Sequence, residues 1–142
     1  MTALLTNLSN AVITGFVLAA ILLVLYLTAW NGALDGQFWR FFFRWAHVIS
    51  GVMWIGLLWY FNFVQIPTMP KIPDEMKPAI GKHIAPEALF WFRWGAMATI
   101  VTGLILAWLN GYILEAISLG AANGFAVPGH TAIGIGMWLG AI

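Results

Sequence analysis

The chain has 142 residues, of which 62% are hydrophobic and only 8% are charged, and its formal net charge is +1. Soluble domains carry about 25% charged residues, so this composition excludes a water-soluble monomer, and it excludes a disordered chain as well. The near-neutral charge, without any run of basic residues, argues against nucleic-acid binding. Since cysteine is absent, disulfides, thiolate-bound metals and covalent c-type haem are excluded too. The remaining class is an all-α, polytopic integral membrane protein.

Four apolar segments are expected to form membrane helices. Crossing about 30 Å of hydrocarbon takes roughly 20 apolar residues. Three segments meet this length, and they cover about residues 11–30, 45–66 and 89–116. A proline-rich segment, 67–88, is expected to be a loop between the second and third spans. The whole chain, 1–142, is then expected to form a single helical membrane domain.

The fourth segment, 130–142, is too short to cross the membrane, because it reaches only about 20 Å at 1.5 Å per residue. We therefore expect a partial or truncated fourth helix. A chain that continues past Ile142, a short re-entrant helix and a partner that covers the end are three explanations, and the first is favoured. In each case the chain is not expected to be the whole functional unit.

The distribution of basic residues predicts the orientation, since cytoplasmic loops carry an excess of Lys and Arg. One side of the membrane holds Arg40 and Arg44. The side that also carries the N-terminus holds four basic residues, Lys71, Lys77, Lys82 and Arg93. The count favours a cytoplasmic N-terminus in a bacterial inner (cytoplasmic) membrane.

Small residues recur every four positions along the third predicted helix. They are Gly95, Thr99, Gly103, Ala107 and Gly111. Such a stripe lets another helix approach closely, which favours association where hydrophobicity cannot drive it. The functional alternative is that the glycine face leaves room for a flat cofactor. Helix packing is the preferred interpretation.

The histidines are the main candidates for a cofactor site. His47 opens the second span and His130 opens the fourth segment, and the topology places both on the same side of the membrane. Two histidines on neighbouring helices can hold a b-type haem, whose propionates would pair with Arg40 or Arg44. The alternative is that each histidine bonds only to water or a carbonyl at the membrane interface. His83 lies on the opposite side, and no metal site is predicted.

Three stretches of the sequence carry a family resemblance. They read AHVISGVMWIGLLWYFNFVQIPTMP, APEALFWFRWGAMATIVTG and GHTAIGIGMWLG. Together they resemble the N-terminal membrane domain of the cytochrome-c-linked urate oxidases, and the resemblance is most specific between Trp54 and Gln65. It implies a multi-helix membrane domain that works with a cytochrome c domain, and it marks His47, His83 and His130 as candidate functional residues. This chain has no C-x-x-C-H motif for haem c.

These observations lead to two functional expectations. The first is a small integral-membrane subunit with a structural or accessory role in a larger respiratory or photosynthetic electron-transfer complex. Its partners would be other membrane subunits, lipid, and a quinone or pigment. The alternative is the membrane part of a urate oxidase-like oxidoreductase that binds haem b. In neither case is the chain expected to be catalytic alone.

Overall fold

The computed structural model describes residues 7–30 and 32–141, and these are helical, with no strand among them. Three helices are long and apolar enough to cross a membrane: Ser9–Thr28, Gly36–Lys71 and Lys77–Leu109. The all-α class and the three membrane-length helices are therefore confirmed. Ile142, the last residue of the expected fourth span, lies outside the described residues.

Five helices account for most of the described chain. They are α1 (Leu8–Thr28), α2 (Gly36–Lys71), α3 (Lys77–Leu109), α4 (Ile113–Ile117) and α5 (Pro128–Ala141). The chain divides into two compact units, one ending at Phe38 and the other starting at Trp39, and each is described by itself. A single domain over 1–142 therefore stays a prediction.

In the first unit, α1 has the features of a membrane span. Asn7 caps its N-terminus, because the side chain of Asn7 accepts a hydrogen bond from the backbone N–H of Ser9. The hydroxyls of Thr14 and Thr28 donate to carbonyls one turn earlier, so neither leaves a donor unpaired in hydrocarbon. The segment carries no charged side chain. All faces of α1 are therefore compatible with an apolar environment.

The proline-rich segment is mostly helical, and the expectation of a loop over 67–88 is wrong. Only residues 72–76 separate α2 from α3. Pro67, Pro70, Pro78 and Pro86 each fall at the second position of a segment in which the helical pitch changes or a helix begins. Wide turns at Tyr60–Gln65 and Ile80–Ile84 have π-helical geometry. These changes of pitch let the helices continue through the prolines.

The third expected span, 89–116, is interrupted at its end. α3 ends at Leu109, and Gly111 follows with a left-handed φ of 79°. The N–H of Tyr112 then donates to the carbonyl of Ala107 at 3.0 Å, which closes the helix as a glycine C-cap does. Gly111 therefore does not belong to the small-residue stripe, and a Cβ there would meet no atom within 4 Å.

In the second unit, α2 and α3 pack antiparallel. Arg40 Nε donates to the carbonyl of Leu109 at 3.1 Å, near the start of α2 and the end of α3. Further along α2, the backbone of Trp54 lies 3.4 Å from where a Cβ of Gly95 would be. The small residues of α3 therefore face α2 within this chain. Among the described residues Ala107 and Ala116 are the only buried hydrophobic side chains, so the outer faces of the helices expose large apolar side chains.

Candidate functional site

His47 belongs to α2, and its side chain lies against α3, whose backbone accepts a hydrogen bond from the ring. Nδ1 is 2.9 Å from the carbonyl oxygen of Thr99 and 3.3 Å from the hydroxyl of Thr102. The ring packs against Gly103, where an added Cβ would be only 3.0 Å from Cε1 of His47. The absence of a side chain at Gly103 therefore creates the space that the imidazole occupies.

These contacts determine which nitrogen of His47 is free. A carbonyl oxygen can only accept a hydrogen bond, so Nδ1 must carry the proton. The hydroxyl of Thr102 donates to the carbonyl of Ala98 at 2.6 Å, and its oxygen is left as a second acceptor. In the neutral imidazole, Nε2 then presents a lone pair. This is the form of histidine that binds a metal ion, with the other nitrogen bonded to a carbonyl.

A cleft of about 320 Å³ lies beside His47, bounded by α2, α3 and α5 and partly open to the outside. This volume is within the usual range of ligand pockets. Twelve residues line the cleft: His47, Trp54, Thr99, Ile100, Gly103, Leu106, Ala107, Tyr112, Ile133, Gly136, Met137 and Gly140. The lining is mainly apolar, and it includes one indole N–H, Nε1 of Trp54, which is buried without a partner.

His130 lies on α5 one turn before Ile133, which lines the cleft, and His130 itself is not among the twelve lining residues. Its Nδ1 pairs with Oε2 of Glu115, and both side chains are about one quarter exposed, at 27% and 26%. The ring stacks on Tyr112 with centroids 4.8 Å apart and planes 20° apart. A carboxylate oxygen of this kind accepts a hydrogen bond from Nδ1–H, and a neutral ring would then present a lone pair on Nε2.

The two histidines lie at nearly the same depth. α2 and α5 both run away from the C-terminal end of α3, and a Cβ added at Gly140 would lie 3.2 Å from the Trp54 ring, which gives a common reference level. His47 precedes Trp54 by seven residues and His130 precedes Gly140 by ten. At 1.5 Å per residue, they lie about 10 Å and 15 Å from that level, so their depths differ by only about 5 Å.

The other residues predicted for the site are placed differently. Arg44 is exposed, and among residues 7–30 and 32–141 it has no described hydrogen bond or ion pair. It precedes His47 by one turn of α2, so it remains available to an anionic group. His83 is exposed near the start of α3, about 24 Å along the helix from Thr99. The structure does not bring His83 to the cleft.

Sequence reasoning missed several residues that build the site. Glu115 was not among the predicted site residues, yet it pairs with His130 across the reversal between α4 and α5. Trp54 and Met137 were not connected to the histidines. Their positions carry a signal, since each lies seven residues after His47 or His130 and so faces the same way on its helix.

Comparisons with known proteins add no identification. No family model matches this sequence, and neither characterised proteins nor solved structures show significant similarity to it. Membership of the urate oxidase family therefore stays a prediction from the resemblance. The geometry of the cleft and the two histidines is the evidence on which a function can be argued.

Proposed function

We propose that this chain is a small integral-membrane subunit of an electron-transfer complex, and that His47 and His130 hold a b-type haem. The supporting observation is that Nδ1 of each histidine has a hydrogen-bond acceptor, so the neutral ring would present its lone pair on Nε2. For a haem ligand it is the required protonation state.

Other features of the cleft agree with a flat apolar ligand. Gly136 lines the wall on α5, and a Cβ there would meet no atom within 4 Å, so this face is open. Arg44, one turn before His47, is a suitable partner for a haem propionate. When bound, a b-type haem supplies one-electron redox chemistry, with the iron alternating between ferric and ferrous. The resemblance implies cytochrome c as the electron acceptor.

The first experiment measures haem directly. The protein is produced in a haem-sufficient bacterial host, purified in mild detergent, oxidised with ferricyanide and reduced with dithionite. We expect a reduced-minus-oxidised difference spectrum of a six-coordinate, low-spin b haem and one haem per chain by the pyridine haemochrome assay. His47→Ala and His130→Ala should each remove the low-spin band. His83→Ala is the matched control and should leave the spectrum unchanged, since His83 lies far from the cleft.

A second variant separates loss of the ligand from loss of the fold. Gly136→Leu keeps both histidines and adds a side chain into open space, so we expect a folded helical protein with at least tenfold lower haem occupancy. Met137→Leu tests the competing second ligand, because Met137 lines the cleft beside His47. We expect this variant to keep the low-spin band.

The outcomes are distinct. A wild-type protein that is folded, co-purifies with other membrane subunits and contains no haem would overturn the redox role and favour a structural subunit. Haem that persists in both histidine-to-alanine variants would overturn the assignment of the ligands. Loss of the band in Met137→Leu but not in His130→Ala would replace His130 by Met137 as the second ligand.

A further inference from the structure

Arg93 is a charged side chain on an exposed face of a membrane-length helix. It lies well inside α3, sixteen residues after Lys77, the first residue of that helix. Within the part of the chain that the structure describes, residues 7–30 and 32–141, its guanidinium has no ion pair and no hydrogen bond. An arginine side chain keeps its charge in proteins, so this charge has no partner inside the chain.

Contacts between α2 and α3 give the level of Arg93 along the helix pair. Its neighbour Phe92 contacts Phe61 of α2, with ring centroids 6.0 Å apart. Two residues after Arg93, a Cβ on Gly95 would lie 3.4 Å from the backbone nitrogen of Trp54. Because the two helices are antiparallel, Arg93 lies at a level between Trp54 and Phe61 of α2.

This level is far from the charged ends of α2. Arg44 and Lys71 bound a segment of α2 that contains no Asp, Glu, Lys or Arg. Trp54 follows Arg44 by ten residues and Phe61 precedes Lys71 by ten residues, which is about 15 Å in each case at 1.5 Å per residue. Arg93 therefore lies near the middle of the apolar segment, where a charge is costly unless it is paired.

The surface around Arg93 is otherwise apolar. Phe90 and Met97 lie about one turn before and one turn after it on the same side of α3, and they are 50% and 54% exposed. Trp94 is 59% exposed, and its ring lies 6.2 Å from the Phe90 ring. The nearest charged residue of α3, Glu87, is about 9 Å away along the axis and about 120° around it. This face of α3 therefore carries one cation and no anion of its own.

A partner for this face must supply an anion at the depth of Arg93. Lipid phosphates serve arginines near helix ends, where the side chain extends to the membrane surface, and Arg93 is not near such an end. A second copy of this chain in the same orientation does not supply the anion either. Its five carboxylate side chains lie between helices, in the first turn of α3 or on α4: Asp35, Asp74, Glu75, Glu87 and Glu115. The remaining source is a membrane helix of a different chain.

We infer that the face of α3 around Arg93 docks a membrane-spanning helix of another subunit, and that an Asp or Glu on that helix pairs with the Arg93 guanidinium. A guanidinium and a carboxylate can form two parallel hydrogen bonds, which also fixes the register of the two helices. The inference rests on the membrane-subunit part of the proposed function and does not depend on haem. It assigns the chemistry of the partner: an apolar helix with one acidic residue at the level of Arg93.

The test is site-directed photo-crosslinking of the full chain in its native membranes. The photoreactive residue p-benzoylphenylalanine replaces Met97, one turn after Arg93, and mass spectrometry identifies the crosslinked peptide. We expect a membrane span of a different chain that contains Asp or Glu. Arg93→Leu should lower the crosslinking yield about tenfold, because it removes the interhelical pairing. Lys82→Leu, which removes an exposed cation near the start of α3, is the matched control and should leave the yield unchanged.

Two further measurements separate docking from folding. Arg93 has no polar partner within the described chain, so purified Arg93→Leu should resist unfolding in SDS at least as well as the wild-type protein. Arg93→Glu should abolish the crosslink, and a lysine in place of the partner's carboxylate should restore it. A less stable Arg93→Leu would show that Arg93 supports the fold of this chain and would overturn the docking role.

The crosslinked product decides between the possible occupants of this face. A crosslink to lipid, to a second copy of the chain or to a span without a carboxylate would overturn the inference, as would a yield unchanged in Arg93→Leu. Each of these results leaves the haem assignment as it stands. A haem-free protein that still gives the carboxylate-containing crosslink would overturn the haem assignment and keep the docking face.

Discussion

His47 and His130 leave the same ring nitrogen free, but they are held by different kinds of structure. The acceptor for His47 is a backbone carbonyl in the middle of α3, and the ring sits in a space left by Gly103. The acceptor for His130 is one side chain on the five-residue helix α4. The His47 site depends on the packing of two long helices, and the His130 site depends on the contact between the short helix α4 and the start of α5. Substitutions can therefore perturb each site separately.

The largest effect is expected for Gly103→Leu. Because a Cβ at Gly103 already approaches Cε1 of His47 to 3.0 Å, a leucine must displace the ring and separate α2 from α3. We expect destabilisation of about 1–3 kcal/mol, as for overpacked sites, together with loss of the His47 site. Unfolding in SDS, followed by circular dichroism, measures the stability. Gly56→Leu on α2 is the control, since an added Cβ there meets no atom within 4 Å. Equal stability of the two variants would show that α2 and α3 do not pack through Gly103.

A smaller and more local effect is expected for Gly134→Ala. Its Cβ would overlap the backbone carbonyl of Ala116, so α4 and α5 must move apart. We expect destabilisation of about 1 kcal/mol, at the lower end of the overpacking range, and loss of the pairing between His130 and Glu115. The His47 site should persist. The low-spin haem band would report the loss of one ligand, and Gly129→Ala, which meets no atom within 4 Å, should keep the band. A normal spectrum in Gly134→Ala would contradict the expectation that the packing of α4 against α5 holds His130 in place.

The smallest effect is expected for Thr102→Val. This change removes the secondary acceptor of His47, at 3.3 Å, and the hydroxyl's own hydrogen bond to the carbonyl of Ala98 within α3, and it leaves the carbonyl of Thr99 in place. We expect at most about 0.5 kcal/mol, the lower end for one hydrogen bond, and an unchanged haem spectrum. Thr99→Val is the matched variant, since it alters the side chain but not the carbonyl that accepts from His47. A spectrum lost in Thr102→Val alone would show that the hydroxyl, not the carbonyl, holds the ring.

The fold was largely predictable where the information is local. Long apolar segments identify α1, α2 and α3 because each residue contributes its own transfer free energy to the membrane. The break after Leu109 was also predictable in principle, since Asn110 and Gly111 form a common helix end, but the small-residue spacing obscured it. The helices through the proline-rich segment were not predictable by a rule that treats every proline as a stop. Each of these prolines lies near the start of a segment where the helical pitch changes, and only the structure shows that change of pitch.

The site was predictable only in part. The residue types and the membrane side marked His47 and His130 as candidates, and the four-residue spacing marked Gly95 and Gly103 as packing positions. The partners of the histidines were not predictable, because Thr99 is 52 residues from His47 and Glu115 is 15 residues from His130. Sequence periodicity describes one helix at a time and contains no information about which helix faces it.

The amino-acid sequence by itself determined that the chain forms helices suited to hydrocarbon, because hydropathy accumulates residue by residue along a continuous segment. Only the tertiary structure decided which ring nitrogen of each histidine has a hydrogen-bond acceptor. That choice depends on the acceptor that approaches the ring from another helix, a carbonyl for His47 and a carboxylate for His130. Hydrogen bonds are short and directional, so chemistry of this kind is settled by the packing of the helices.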